Sequence, residues 1–184
     1  GNDQLAGAAG NDVLLGGEGE RQFYHKQRLV PFGEYVPLER WLRGLIDFFD
    51  LPMSSFSPGP PDQMPLRAGA FRIAPFVCYE IVYGDLVASG ARDADLLITI
   101  SNDSWFGDSI GPWQHLQIAQ MRGRENGRFV LRATNNGISA IIDHQGRIVK
   151  RTEQFVATML TGEAEVMLGN TPFGTFGVTP IVAG

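Results

Sequence analysis

Only one cysteine, Cys78, occurs in 184 residues. No disulfide can close within the chain, and a lone thiol says little about redox compartment. Histidine is scarce too. His25, His115 and His144 share no ligand-like spacing, and beside a single cysteine they form no zinc signature. No metal and no cofactor is expected. Positive charge is not in excess: 15 Lys and Arg against 20 Asp and Glu leave a net charge of −5, which argues against a nucleic-acid partner. No stretch approaches the roughly 18 unbroken apolar residues of a membrane span. No basic-then-apolar leader opens the sequence. As it stands the sequence predicts a soluble chain, whatever its parent protein contains.

What is present suits a globular domain, with 43% hydrophobic and 19% charged residues. Residues 1–20 are a Gly- and Asp-rich lead-in. Gly1, Gly10 and Gly19 are nine apart, and Asn2-Asp3 recurs as Asn11-Asp12. This spacing resembles the nonapeptide repeat of calcium-binding parallel β-rolls, although a roll needs about three turns to bury a core. The alternative is a flexible lead-in whose second half, Asn11 to Leu15, is simply a strand. Residues 21–168 read as the folded domain and 169–184 as a tail without periodicity.

Within the domain, Phe23 to Lys26 reads as a strand end and Arg28 to Pro37 as a loop structured by two prolines and a glycine. Leu38, Trp41, Leu42, Leu45, Ile46 and Phe49 predict an amphipathic helix. Pro-rich 51–65 is a loop. Strands are expected at Phe71 to Cys78, Leu96 to Ile100, Phe129 to Ala133, Ile138 to Ile142, Arg147 to Arg151 and Ala157 to Val166. Helices are expected over Ile81 to Ala91 and from Gly111 to Asn126, the second stopped by Gly127. Alternation followed by a hairpin at Asp143 to Gly146 predicts an α/β fold with a mixed sheet.

The chemistry centres on Phe76-Val77-Cys78-Tyr79-Glu80. A strand that ends on Cys78 can present a nucleophile, whereas a buried lone cysteine can equally be an inert core residue. The thiolate is the reactive form, so a nearby cation such as Lys26 would help, unless Lys26 is merely a surface lysine. Glu34, in the rigid segment PFGEYVP, can orient Lys26 or move protons, or be an exposed loop acid. Glu80 can bond a loop backbone or cap the helix start. A Cys–His dyad using His115 is conceivable.

Four blocks in order carry a resemblance: KQRLVPFGEYVPLE at 26–39, FVCYEI at 76–81, SNDSWFGDSIGPWQHLQIAQMR at 101–122 and RATNNGISAIID at 132–143. They are similar to the nitrilase-like domain of bacterial apolipoprotein N-acyltransferases, within the wider carbon–nitrogen hydrolase superfamily. The resemblance implies a four-layer α-β-β-α sandwich, incomplete at the N-terminus here, and a Glu-Lys-Cys triad in which Cys78 and Lys26 supply two members. Glu34, Tyr79 and Glu80 match further residues needed at the family's site, and Trp105 and Phe106 match an aromatic loop at its lipid-binding mouth.

The implied activity moves an acyl chain from a phospholipid to the amine of an apolipoprotein's diacylglyceryl-cysteine, by way of a thioester. Lys26 and the Tyr79 N–H are the expected oxyanion donors. The implied location is the bacterial inner membrane, periplasmic side, with membrane contact through segments absent from this chain. The triad glutamate is expected upstream of Lys26. Glu18 and Glu20 sit in no matching motif. Residues 1–184 alone are therefore expected to be poorly active and poorly folded. Two other readings remain at this stage: a soluble amidase using the same Cys and Lys, and a non-enzymatic calcium-binding β-roll fusion.

Overall fold

A computed structural model describes residues 4–6, 11–15, 22–31, 34 and 57–177. The amphipathic helix expected over 38–49 lies outside them, as do most of the 51–65 loop's first half and residues 178–184.

Two sheets make up the frame. The smaller joins β1 (Gln4–Ala6), β2 (Asn11–Leu15) and β3 (Gln22–His25), in that order. The larger has six strands: β4 (Leu66–Ala68), β5 (Phe71–Val77), β6 (Leu96–Asn102), β7 (Val130–Asn135), β8 (Ala140–Ile142) and β9 (Ile148–Arg151), adjacent in sequence order. β5, β6 and β7 run parallel, and the flanking pairs are antiparallel. The parallel steps need crossovers, which α1 (Gly84–Ala91) and α2 (Gly111–Asn126) provide. Two successive crossovers in the same strand direction put both helices on one face, and the two helices pack on each other.

The core lies between that face and the helices. Ala74, Phe76, Leu97, Val130, Ala140 and Ile142 meet Val87, Ala91, Leu116 and Ala119. Along β6, Leu97, Ile98 and Thr99 are all buried, so both faces of this central strand are covered. In α2 the buried positions Pro112, His115, Leu116, Ala119, Gly123 and Asn126 recur at helical spacing on one side. The helix starts with proline in its first turn and ends at Gly127, whose φ of 61° is the left-handed conformation glycine adopts freely. Asp143 closes the β8–β9 hairpin by accepting the N–H groups of Gln145 and Arg147, each at 2.8 Å.

Three expectations need correction, and of the two readings of the lead-in the strand Asn11–Leu15 is present. β1 and β2 pair antiparallel, with Gln4 opposite Leu15 and Ala6 opposite Val13. Successive turns of a nonapeptide roll would run parallel. β2 then pairs antiparallel with β3, so the lead-in shares a sheet with the domain. The helix expected over Ile81 to Ala91 is split into a 3-10 turn at Cys78–Val82 and α1. Extended Tyr83 separates them, and its N–H closes the turn on the Glu80 carbonyl at 3.0 Å. Ala157 to Val166 forms no strand: β9 ends the sheet order, so this apolar, β-branched run has no ladder beside it and lies mostly exposed. In the tail, Thr171 caps a short helix, α3 (Pro172–Phe176), by accepting the Gly174 N–H at 2.9 Å.

Leu97 has no exposed surface at the centre of this core. Leu97→Ala is expected to lower unfolding free energy by about 2–5 kcal/mol, read from the shift of the denaturant midpoint at unchanged slope.

Candidate active site

β5 ends at Val77, and Cys78 follows with φ of 54°. A non-glycine residue in this left-handed region costs about 1–2 kcal/mol, so other contacts must hold it. Cys78 is half-buried and opens the 3-10 turn.

Glu80, with no exposed surface, supplies the main restraint. Its Oε2 accepts the Val77 N–H at 2.8 Å. Its Oε1 accepts the N–H groups of Gln27 at 2.6 Å and Arg28 at 3.1 Å. The Tyr24 hydroxyl donates to the same carboxylate, 3.1 Å from Oε2. One side chain thus joins the end of β3, in the small sheet, to the end of β5, in the large one. Both uses foreseen for Glu80, a loop clamp and a cap, occur together.

Lys26 sits inside the clamped segment and is buried. Its Nζ donates to Glu34 Oε1 at 2.5 Å. Glu34 is fixed in turn, because its Oε2 accepts the Val30 N–H at 2.9 Å. Neither residue is the exposed surface group that sequence allowed. The loop after residue 56 packs on the same strand end. The Gly59 N–H donates to the Lys26 carbonyl at 2.7 Å, and the Gln63 amide exchanges hydrogen bonds with the His25 backbone at 2.6 and 2.8 Å.

Burial pushes the Cys78 thiol up from its ordinary range. The Lys26 charge and the N–H groups of Tyr79 and Asn102 pull against it without cancelling it. The sulfur therefore needs a base to react near neutrality, while these three groups are already placed to favour its anion. Burial likewise raises Glu80, opposed by the N–H groups of Val77, Gln27 and Arg28 and by the Tyr24 hydroxyl.

A second cluster lies behind the turn, in residues to which sequence reading gave no role beyond a conceivable Cys–His dyad for His115. Asp103, the residue after β6, is buried. It accepts the Ser101 hydroxyl at 2.8 Å, the Arg132 Nη2 at 2.6 Å and the His115 ring at 3.1 Å. Arg132 also donates its Nε–H to the Ile138 carbonyl at 3.1 Å. His115 Nε2 lies 3.2 Å from the Cys78 carbonyl oxygen, so in this geometry the histidine addresses the Cys78 backbone rather than its sulfur. Burial alone would raise the Asp103 carboxyl, but the His115 bond, the Arg132 charge and the Ser101 bond outweigh it and hold the group below the usual range. The one signal in the sequence was that all four residues fall inside the quoted 101–122 and 132–143 blocks.

Trp105 and Phe106 lie in the 3-10 turn Asp103–Phe106. Trp105 is 78% exposed, whereas Phe106 packs edge-on against His115, ring centres 6.2 Å apart. Tyr79 packs edge-on against Tyr83 at 5.5 Å. A cleft of about 350 Å³ lined by Trp113 and residues 151–154 contains none of these groups. Among the described residues no cluster of His, Cys, Asp and Glu is placed to hold a metal ion.

The family model described as carbon-nitrogen hydrolase matches residues 4–171. The chain is 58% identical over 163 residues to an apolipoprotein N-acyltransferase of Azotobacter vinelandii, covering 89% of this chain and 31% of that protein. It is 54% identical over 171 residues to one of Pseudomonas aeruginosa, covering 93% and 33%. It thus spans about a third of the length of these curated relatives. Among solved structures it is similar to Saccharomyces cerevisiae Nit3, of the nitrilase superfamily, with TM-score 0.58 and 18% identity over 78% of this chain and 49% of that one. A carbon-nitrogen hydrolase of Helicobacter pylori gives TM-score 0.56 and 14% identity, over 77% and 51%. These structures support the nitrilase-like α/β fold.

Two outcomes are expected from the site's electrostatics. Lys26→Met removes the cation that opposes burial at Cys78, so the midpoint of Cys78 alkylation, followed by mass spectrometry against pH, moves to higher pH. Asp103 binds fewer protons folded than unfolded in the window between its lowered value and the usual carboxylate value. Stability is therefore lost as pH falls through that window. Asp103→Asn should flatten the acid limb of an unfolding-versus-pH curve.

Proposed function

The chain belongs to the carbon-nitrogen hydrolase family, and we propose that it forms the catalytic part of an enzyme that acylates the N-terminal amine of apolipoproteins with a chain taken from a phospholipid. The observation that carries this reading is the identity of 54–58% with apolipoprotein N-acyltransferases over about nine-tenths of the chain. The site geometry is compatible with it and supplies a mechanism.

In the first half, the Cys78 thiolate attacks the phospholipid ester carbonyl. A C–S bond forms, the ester C–O bond breaks, and the lysophospholipid leaves after taking a proton. Charge that builds on the carbonyl oxygen is met by the Lys26 ammonium and the Tyr79 N–H. In the second half, the acceptor amine attacks the thioester. A C–N bond forms, the C–S bond breaks, and the amine's proton is taken up by a base. Glu34, bonded to Lys26, is the carboxylate that the described site offers for holding the lysine charge and relaying protons.

The thioester must be kept from water until the amine arrives. Trp105 and Ile110, both largely exposed, follow Asn102, whose N–H is among the groups that oppose the rise of the Cys78 thiol. They give the mouth of the site an apolar rim suited to acyl chains. The phospholipid donor, the apolipoprotein acceptor and a bacterial inner-membrane location with the site on the periplasmic side belong to this proposal. Among the described residues no helix is long and apolar enough to cross a membrane; the rim is the lipid contact that the described site offers.

The soluble amidase reading makes a different prediction. The complete gene product, reconstituted with phosphatidylethanolamine and no acceptor, is expected to gain one hydroxylamine-labile acyl chain on Cys78. A diacylglyceryl-cysteine lipopeptide should then discharge it, and Cys78→Ala should remove it. Hydrolysis of small amides without lipid labelling would establish the amidase instead.

A further inference from the structure

The Asp103 cluster is buried, charged and unused in the chemistry above. Asp103 is held from three sides, by Ser101, Arg132 and His115. A fourth side is closed by the 135–137 turn: a Cβ on Gly137 would fall 2.2 Å from Asp103 Oδ2. This carboxylate cannot swing. It receives one edge of the His115 ring, and the other edge meets the Cys78 carbonyl. Phe106 packs edge-on against the ring. The imidazole is therefore a strut between an immobile anion and the backbone of the residue with φ of 54°.

We propose that His115 is a positioning residue that holds the Cys78 peptide in its left-handed conformation, with Asp103, Arg132 and Ser101 as its footing. A carbonyl oxygen and a carboxylate only accept, so Nε2 must carry hydrogen toward Cys78 and Nδ1 toward Asp103 for the strut to exist. With the Cys78 carbonyl held, the peptide that follows it is fixed, and that peptide carries the Tyr79 N–H. This is one of the groups that favours the Cys78 anion, and the proposed oxyanion donor. Asn102, whose N–H is among the groups that oppose the rise of the Cys78 thiol, immediately precedes Asp103, so the same footing sits beside a second group that favours the anion. Glu80 restrains the turn from the β3 side and His115 from the α2 side. The left-handed residue sits between the two restraints.

The inference rests on Cys78 being the nucleophile but not on which acyl donor it uses. Its test therefore reads Cys78 itself. In the complete gene product, with the peptide identified by mass spectrometry, Cys78 alkylation is measured against pH in the native protein and in His115→Leu and His115→Gln. Leucine fills the space without a donor, while the glutamine amide can present an N–H where Nε2 stands. The expected result for His115→Leu is a midpoint at higher pH. Its acyl-transfer kcat should fall about 10- to 100-fold, with KM for phospholipid little changed, because misplacement of the reacting group is felt in the transition state. His115→Gln should restore most of both.

A folded His115→Leu protein with native alkylation and kcat would overturn the proposal, as would a glutamine variant no better than the leucine one. If His115→Leu does not fold, the native protein decides. Histidine-selective 15N NMR, with His115 assigned by its loss in His115→Gln, should show hydrogen on both Nδ1 and Nε2. A ring lacking hydrogen on either nitrogen sinks the strut. Failure of lipid labelling with the strut intact would count against the acyl-donor reading only.

Discussion

A single buried carboxylate, Glu80, carries the geometry of the site. It accepts hydrogen bonds from three backbone N–H groups and a tyrosine hydroxyl that belong to two segments far apart in sequence, Tyr24 to Arg28 and Val77. A charge with no exposed surface is costly to desolvate and is retained where donors replace water. Here the donors are the ends of β3 and β5. Satisfying Glu80 and bringing Lys26 to Cys78 are therefore one event, because the clamped residues, Gln27 and Arg28, directly follow Lys26. Removal of the carboxylate would leave three N–H groups without this acceptor as well as loosening the lysine.

The other buried charges follow the same logic. Lys26 has Glu34, and Arg132 has Asp103, each pair with further hydrogen bonds to backbone or side chain. Such pairs add little stability against an apolar core but lose much if one partner is removed, so they specify arrangement rather than strength. The bulk of the stability comes instead from the apolar layer between the β5–β8 region and α1 and α2. That layer also aims the chemistry. β5 and β6 are parallel neighbours, so their C-terminal ends emerge side by side, and Cys78 and Asp103 begin the loops there.

Much of the frame was legible. The β-branched run at Leu96 to Ile100, the Gly111-Pro112 start and Gly127 stop of α2, and the Asp143 to Gly146 turn are local signals, and each element stands where its signal lies. The 157–166 run failed because β-propensity describes a residue's fit to a sheet but supplies no neighbouring strand. The nine-residue spacing of the lead-in left two readings open for a related reason: periodicity sets which residues are equivalent, not whether their strands run parallel. The break at Tyr83 was invisible because Glu80, a good helix former, is drawn back toward Val77 and β3 by long-range donors.

The site divides in the same way. Its cysteine, its lysine and the carboxylates Glu34 and Glu80 could be picked out from the sequence by itself, because a lone thiol at a strand end and a proline-braced acid are local features joined by a recognisable motif order. Whether Lys26 and Glu34 were surface groups or a buried pair was open until the chain was folded. The part taken by Asp103, His115 and Arg132 was decided by tertiary structure only. Those three come from the end of β6, the middle of α2 and the third position of β7, and no spacing along a chain announces that a helix and two parallel strands will converge beneath one carbonyl. Burial then turns that convergence into a restraint, since a buried acceptor or charge without a partner costs far more than the same group in water.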